Sequence, residues 1–298
     1  MISNDQKNIN TLSNPYQQLH QAETQIVTQN VQPEIREFKK PKADKMMACR
    51  NELKYVISPA MAKSMMGYVS MFLDLDRYSK LQPGAFYPIT SLYIDSDDLH
   101  LCWESIDGRK NRFKLRVRGY SDDPDSPCFF EIKRRINTMI LKSRARVMHQ
   151  HVKPLLDGFW FPDNKYETDF KALRQFQLYM KTINAKPKVM IKYLRKAYEG
   201  TGDNRVRITF DHSLCFNTYV KPKVMLNGPG WQKFDVGGVI LEIKFTGRYP
   251  AWLGRMVEYY NLRSQSMSKY ANSIKSACSL RYCAPQLPIW GKANAMDR

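Results

Sequence analysis

The segment RFKLRVRGY at residues 112–120 alternates apolar and cationic side chains without a break. The apolar positions are Phe113, Leu115 and Val117, and the cationic positions are Arg112, Lys114, Arg116 and Arg118. A period of two is typical of a β-strand with two unlike faces. Like charges on one face repel each other unless an anion neutralises them. The segment therefore predicts either a solvated edge of a basic protein or a surface that binds a polyanion.

The charge of the whole chain favours anionic partners. Among 298 residues, 47 are Lys or Arg and 28 are Asp or Glu, which gives a formal net charge of +19. Most of this excess lies outside residues 1–45 and so belongs to the part of the chain that we expect to fold. Nucleic acid, nucleotides, polyphosphate and anionic membrane surfaces are the partners that such a charge suits.

Several classes of protein are not indicated. The sequence contains no run of eighteen apolar residues and no apolar block typical of a signal peptide at its start. Its six cysteines form no C-x-x-C pair, so neither a zinc site nor a disulfide framework is predicted. We therefore expect reduced thiols in a cytoplasmic protein.

Residues 1–45 are rich in Gln and Asn and are predicted to be a disordered tail. A single folded domain is expected over 46–285, followed by a short tail over 286–298. Strand-like segments within the domain are 50–57, 89–96, 112–120, 128–135, 140–147, 188–198, 205–211 and 237–245. Helical patterns are Pro59 to Leu75, Phe170 to Ile183, Pro250 to Leu262, and Lys269 to Tyr282.

About eight strands with one apolar and one charged face cannot form a sandwich, because too many charges would be buried. The charged faces could instead point to water while the apolar faces share a core. Alternatively, the sheet closes into a barrel with a polar lumen and helices cover its apolar outside. The charged faces carry Arg and Lys with a few Glu, rather than Thr, Ser and Gln, which favours the barrel.

Short motifs on these strands occur in a defined order. They are E-x-K-Y at 52–55, S-L-Y-x-D at 91–95, K-x-R-x-R-x-Y at 114–120, F-E-I-K-R-R at 130–135, Y-x-R-x-A-Y-x-G at 193–200, R-x-T-F-D at 207–211, L-E-I-K-F at 241–245 and S-M-S-K-Y at 266–270. This ordered set resembles the catalytic domain of the vacuolar transporter chaperone (VTC) polyphosphate polymerases, part of the triphosphate tunnel metalloenzyme, or CYTH-like, group. The resemblance covers about residues 48–282 and is greatest to the stand-alone prokaryotic members.

The resemblance implies an α+β fold, an eight-stranded antiparallel β-barrel whose cationic lumen forms a tunnel coated by α-helices. The catalytic, phosphate-binding residues that it implies are Lys54, Arg116, Arg118, Lys133, Arg195, Arg207 and Lys269. It implies further substrate contacts by Tyr193 and Ser266, with Lys142 and Arg144 as secondary candidates. Glu242 is the implied ligand of a Mn²⁺ or Mg²⁺ cofactor.

One departure from the tunnel pattern bears on the reaction. Tunnel triphosphatases typically begin with E-x-E-x-K, whereas this chain has Arg50, Glu52 and Lys54 at those places. The loss of the first carboxylate weakens the case for a two-metal hydrolase and fits the polymerase branch.

The resemblance thus implies an enzyme that transfers the γ-phosphoryl group of ATP to a growing polyphosphate chain. A triphosphatase and a non-catalytic polyphosphate binder remain as alternatives. The expected partners are ATP and polyphosphate. Nucleic acid is not expected, because no helix-turn-helix or RNP-like signature is present. The family association also suggests a membrane-protein partner that escorts the product.

Overall fold

The computed structural model describes residues 50–137, 139–158, 167–200, 206–218 and 221–282. The two predicted tails, 1–45 and 286–298, lie outside the described residues. The strands are β1 (Arg50–Ile57), β2 (Asp74–Leu75), β3 (Tyr87–Asp95), β4 (Asn111–Gly119), β5 (Pro127–Ile136), β6 (Met139–Met148), β7 (Lys186–Glu199), β8 (Val206–Asn217), β9 (Gln232–Lys233) and β10 (Val239–Thr246). The helices are α1 (Pro59–Val69), α2 (Arg77–Lys80), α3 (His100–Ile106), α4 (Val152–Leu156), α5 (Glu167–Thr182), α6 (Ala251–Tyr259) and α7 (Lys269–Ser279).

The eight long strands form one antiparallel sheet in the order β1-β10-β8-β7-β3-β4-β5-β6. The short strands β2 and β9 pair with β7 and β8. All eight strands predicted from alternation are present, and the α+β antiparallel architecture is confirmed.

The sheet curls until its two ends face each other. Six strand-to-strand steps separate β1 from β5, which would place them about 29 Å apart in a flat sheet. Yet the Lys133 ammonium of β5 lies 3.3 Å from the Glu52 carboxylate of β1. Because the two side chains cannot span that gap, the charged face of the sheet must be concave and enclose an interior.

The apolar faces of the strands point outward and are covered by helices. Leu115 of β4 and Phe130 of β5 share one buried cluster with Phe176 of α5. A second outer cluster joins Phe210 of β8 to Met65 of α1, together with residues of α6. The predicted helical coat is therefore present, and it covers the apolar outer face of the sheet.

Helix α7 differs from the coat because it packs against the inner face at one end. Its Tyr270 and Ile274 share a buried cluster with Tyr93 of β3 and with Val189 and Ile191 of β7. Part of the inner face is therefore apolar, contrary to a wholly charged lumen. The first turn of α7 consequently lies next to the charged residues of the interior.

The end of α1, the cysteines and the hydropathy of the helices can also be compared with the expectations from the sequence. The helix predicted from Pro59 to Leu75 ends at Val69, because Asp74 and Leu75 pair with β7 as a short strand. Cys102, Cys128 and Cys215 are free thiols as expected, whereas Cys278 is disulfide-bonded, which corrects the expectation there. Within the described residues, none of the helices has the length and hydropathy needed to cross a membrane.

Candidate active site

Four of the predicted cations converge on one buried carboxylate, Glu131 of β5. The strand register places Arg116 of β4 and Arg144 of β6 directly beside Glu131. Arg116 Nε donates a 2.7 Å hydrogen bond to Glu131 Oε2, and Arg118 Nε lies 3.8 Å from the same oxygen. Lys142 Nζ and Arg144 Nε lie 2.8 Å and 3.5 Å from Oε1. Glu131 of β5 therefore orients cations from the two flanking strands, β4 and β6, toward one part of the interior.

The electrostatics of this cluster leave a surplus of positive charge. Burial acts to raise the pKa of Glu131, but Arg116 and Arg118 outweigh it and hold that pKa well below its usual range. Glu131 therefore stays ionised and neutralises only one of its four cationic neighbours. Sequence reasoning assigned Glu131 no role, although its place in F-E-I-K-R-R, between strands of cations, was the available signal.

A second group forms around Asp211 of β8. Arg195 donates two hydrogen bonds to the Asp211 carboxylate, of 2.6 and 2.7 Å, and Lys269 Nζ lies 2.7 Å from Asp211 Oδ2. Lys269 is the first residue of α7, so its predicted place at the start of the last helix is confirmed. Lys269 Nζ also lies 4.8 Å from the centre of the Tyr193 ring, and the Arg195 guanidinium carbon lies 5.4 Å from it.

A third group lies on β1 and β10 and joins the other two. Glu52 pairs with Lys54 at 3.0 Å and with Lys133 at 3.3 Å. Glu242 pairs with Lys244 at 2.7 Å and lies 3.8 Å from Arg195. Antiparallel pairing places Glu52 opposite Lys244, and Lys54 opposite Glu242, so opposite charges alternate across these strands.

The residues of the third group fit a divalent cation that arrives with a phosphate ligand. Burial raises the pKa of Glu242, but Lys244, Lys54 and Arg195 together hold it well below its usual range, so the carboxylate is ionised. Glu52 is close enough to Glu242 for the two charges to interact. The described residues contain no group of three or more His, Cys, Asp or Glu side chains that could enclose a metal. Mg²⁺ commonly uses one or two carboxylates and takes its other ligands from substrate phosphates and water.

Lys114, to which the sequence assigned no role, has a strongly lowered pKa. Burial, reinforced by the charges of Lys54 and Lys133, lowers the pKa of Lys114 to about 7. Its ammonium donates a 2.8 Å hydrogen bond to the Ser268 hydroxyl, the N-cap of α7. Lys114 therefore links β4 to the segment that carries Lys269.

Two predicted residues have other surroundings. Arg207 of β8 pairs with Asp76 at 2.6 Å and with Glu199 at 2.5 Å, at the end of the sheet away from α7. Ser266 lies in the loop before α7, where it is exposed. The structure therefore gathers the predicted lysines and arginines except Arg207 into three linked groups, and it leaves Ser266 at their margin.

The interior also holds buried polar atoms that have no hydrogen-bond partner in the protein. Among the described residues, these include Ser91 Oγ, Arg118 Nε and Thr209 Oγ1. Ser91 lies opposite Arg118 in the β3–β4 register, and Thr209 lies opposite Glu242 in the β8–β10 register. Buried polar groups without a partner cost stability, so these groups are suited to donate hydrogen bonds to a ligand. The interior can therefore bind a compact polyanion by both charge and hydrogen bonding.

Comparison with known proteins agrees with this architecture. The model of the VTC domain family matches residues 49–278. Subunit 4 of the vacuolar transporter chaperone complex of Schizosaccharomyces pombe is 23% identical over 242 residues, which cover 68% of this chain and 33% of that protein. The chain thus spans about a third of the length of this relative.

Solved structures with a similar fold include a candidate adenylate cyclase from Bacillus halodurans, with a TM-score of 0.43, 15% identity and coverage of 73% of this chain and 92% of that one. Another is HpAC1 from Hippeastrum, which is described as having a dominant triphosphatase activity, with a TM-score of 0.43, 13% identity and coverage of 76% and 95%. At these scores the assignment rests on the domain match, which extends from β1 to α7. The chain belongs to the VTC domain family, as its ordered motifs predicted.

Proposed function

We propose that the protein is an ATP:polyphosphate phosphotransferase, which moves the γ-phosphoryl group of ATP to the end of an inorganic polyphosphate chain. The observation that carries the proposal is the surplus of cations in the interior. The interior carboxylates are Glu52, Glu131, Asp211 and Glu242, and the cations around them are Lys54, Lys114, Arg116, Arg118, Lys133, Lys142, Arg144, Arg195, Lys244 and Lys269. A chain of phosphates would neutralise that surplus.

The arrangement suits phosphoryl transfer, which depends on positioning and charge neutralisation more than on covalent catalysis. An oxygen of the terminal phosphate of the acceptor attacks the γ-phosphorus of ATP. The bond from that phosphorus to the β,γ-bridging oxygen breaks, and ADP leaves with the bonding electrons. Because the acceptor oxygen is already ionised, no general base is needed.

The arginines, lysines and carboxylates of the interior contribute to this transfer in different ways. Arg116, Arg118 and Arg195 have planar guanidinium groups that can donate two hydrogen bonds to one phosphate, which fixes its orientation. Lys133, beside Glu52, and Lys269, beside Asp211, supply localised positive charge. A Mn²⁺ or Mg²⁺ ion held by Glu242, with Glu52 nearby, would polarise the phosphate oxygens when bound.

The alternative reaction is that of a triphosphatase, in which water replaces the phosphate acceptor. The interior cations would bind the triphosphate of that substrate in the same way. The cation Arg50 at the place of the first carboxylate of the hydrolase pattern favours the polymerase. Similarity to a subunit of a transporter chaperone complex is the support for a membrane-protein partner.

The experiment that tests the proposal incubates the purified protein with ATP and Mn²⁺ and resolves the products. We expect ADP together with long anionic polymer that an exopolyphosphatase degrades. Stoichiometric free phosphate without polymer would establish the triphosphatase instead. ATP binding without turnover in Mn²⁺ and in Mg²⁺ would leave a polyphosphate binder.

A further inference from the structure

Four aromatic rings meet at the end of the sheet that lies away from α7. They are Tyr78 of α2, Tyr87 of β3, Tyr120 after β4 and Phe129 of β5, and we call them the aromatic cluster. Tyr78 and Tyr120 are parallel with centroids 5.7 Å apart, and Tyr87 lies 5.7 Å from Tyr78. Phe129 meets Tyr120 edge to face at 6.0 Å. The cluster thus joins α2 and β3 to β5 and to the residue that follows β4.

The aromatic cluster adjoins the cations proposed to bind phosphate. Phe129 lies two residues before Glu131 and therefore on the same, inner face of β5. It is opposite Arg118 in the β4–β5 register, and the Arg144 guanidinium carbon lies 3.6 Å from its ring centroid. Tyr87 is opposite Arg195 in the β3–β7 register. If these arginines bind the phosphates of a ligand, the group that is covalently attached to those phosphates will lie beside the rings.

Exposure within the aromatic cluster increases toward the outside. Tyr87 is 5% exposed, and its hydroxyl donates a 3.2 Å hydrogen bond to the buried Asp76. Tyr78, by contrast, is 50% exposed although it belongs to the same set of rings. The Tyr87 ring is therefore fixed in place, while the Tyr78 ring leaves half of its surface open to a ligand.

We propose that the aromatic cluster is a nucleobase subsite, in which the base of the donor nucleotide stacks against Tyr78 while its triphosphate occupies the interior. This inference rests on the proposed function in taking a nucleotide, rather than inorganic triphosphate, as the donor. Every base has an aromatic face, so stacking on tyrosine tolerates different bases. The subsite therefore selects for a nucleotide without demanding adenine.

The test compares the affinities of two ligands that share a triphosphate but differ in the base. ATP and inorganic tripolyphosphate are titrated calorimetrically into the wild type, Tyr78→Ala, Tyr78→Phe and Tyr259→Ala. Tyr259 is the matched control, because it is another exposed tyrosine, at 82%, on the surface helix α6. Since Tyr78 is half exposed, its replacement is expected to leave the fold intact, which a thermal melt verifies.

We expect Tyr78→Ala to weaken ATP binding about tenfold and to leave tripolyphosphate binding unchanged, because loss of one stacked base is worth roughly that factor. Tyr78→Phe keeps the ring and should retain the wild-type affinities, as should Tyr259→Ala. Equal losses for both ligands, or no loss for ATP, would overturn the subsite. The titration measures binding and is independent of turnover. If the polymerase assay fails but Tyr78→Ala still weakens only ATP binding, the proposed reaction is rejected and the subsite is kept.

Discussion

The hydroxyl of Tyr270 donates a 2.6 Å hydrogen bond to Oδ2 of Asp95, and its ring is stacked 4.7 Å from that of Tyr93. Asp95 also accepts hydrogen bonds from the backbone N–H groups of Leu101 and Cys102 in α3. The end of β3 thereby holds the first turns of two helices. Because Lys269 immediately precedes Tyr270, this contact positions the Lys269 ammonium beside Asp211.

The substitution Tyr270→Phe tests that positioning. It removes the hydroxyl and keeps the stacked ring, so we expect the free energy of unfolding to fall by about 1–2 kcal/mol, as for a lost buried hydrogen bond. The KM for ATP should rise several-fold because Lys269 is less well fixed. Urea denaturation and steady-state kinetics measure the two effects, with Tyr259→Phe as the exposed control. Lower stability with an unchanged KM would show that the contact serves folding alone.

The double substitution Arg116→Ala/Arg118→Ala tests the Glu131 cluster. Both arginines approach Glu131, so their removal affects the folded state as well as the site. We expect kcat/KM to fall at least about 100-fold and stability to decrease, because Glu131 keeps only Lys142 and Arg144. Arg109→Ala/Lys110→Ala removes the same charge from an exposed turn and is the control. Polymerisation at the wild-type rate by the Arg116/Arg118 variant would show that these arginines of β4 do not belong to the active site.

The strands and most of the cations could be predicted from the sequence for one physical reason. A strand with a period of two assigns each side chain to a face, so Lys54, Arg116 and Arg195 could be placed on charged faces before any pairing was known. The ordered motifs then identified which fold joins those faces. The packing of α7 on the inner face was not predicted, because an amphipathic helix pattern does not specify the side of a sheet that it covers.

The carboxylate partners could not be derived in the same way. Glu131 and Asp211 each pair with residues on other strands or on α7, and such pairs depend on register and curvature that no local pattern encodes. Arg207 shows the opposite case. It shares the pattern of the other cations, but Asp76, which is 131 residues away in the chain, pairs with it at the end of the sheet.

Glu242→Gln tests the metal assignment. The substitution is nearly isosteric and removes one negative charge, so metal-dependent product formation should disappear while ATP still binds, with equal or greater affinity. If Glu242 only neutralises Lys244 and Arg195, the variant should instead lose stability and keep its response to Mn²⁺. Parallel titrations of Mn²⁺ and ATP separate these outcomes, and Glu258→Gln on the exposed face of α6 provides the control. Full activity with an unaltered Mn²⁺ response would end the metal-ligand assignment.

The lowered pKa of Lys114 predicts that its effect on stability depends on pH. Its pKa of about 7 in the folded protein lies below the ordinary value of 10.5, so the unfolded chain binds the extra proton between these values. Lys114 therefore lowers stability in full below about pH 7, and the cost disappears as the pH rises toward 10.5. We expect Lys114→Met to be most favourable for stability, relative to the wild type, near pH 6, with the advantage shrinking by pH 9. Urea denaturation at both pH values measures it, and a constant difference would contradict the shifted pKa.

The contact between Glu52 and Lys133 limits what can pass through the interior. Their charged groups, which come from the first strand and the next-to-last strand of the sheet order, are 3.3 Å apart. A single file of tetrahedral phosphates can enter once Lys133 exchanges the Glu52 carboxylate for phosphate oxygens. We therefore expect the interior to select its ligand by cross-section as well as by charge.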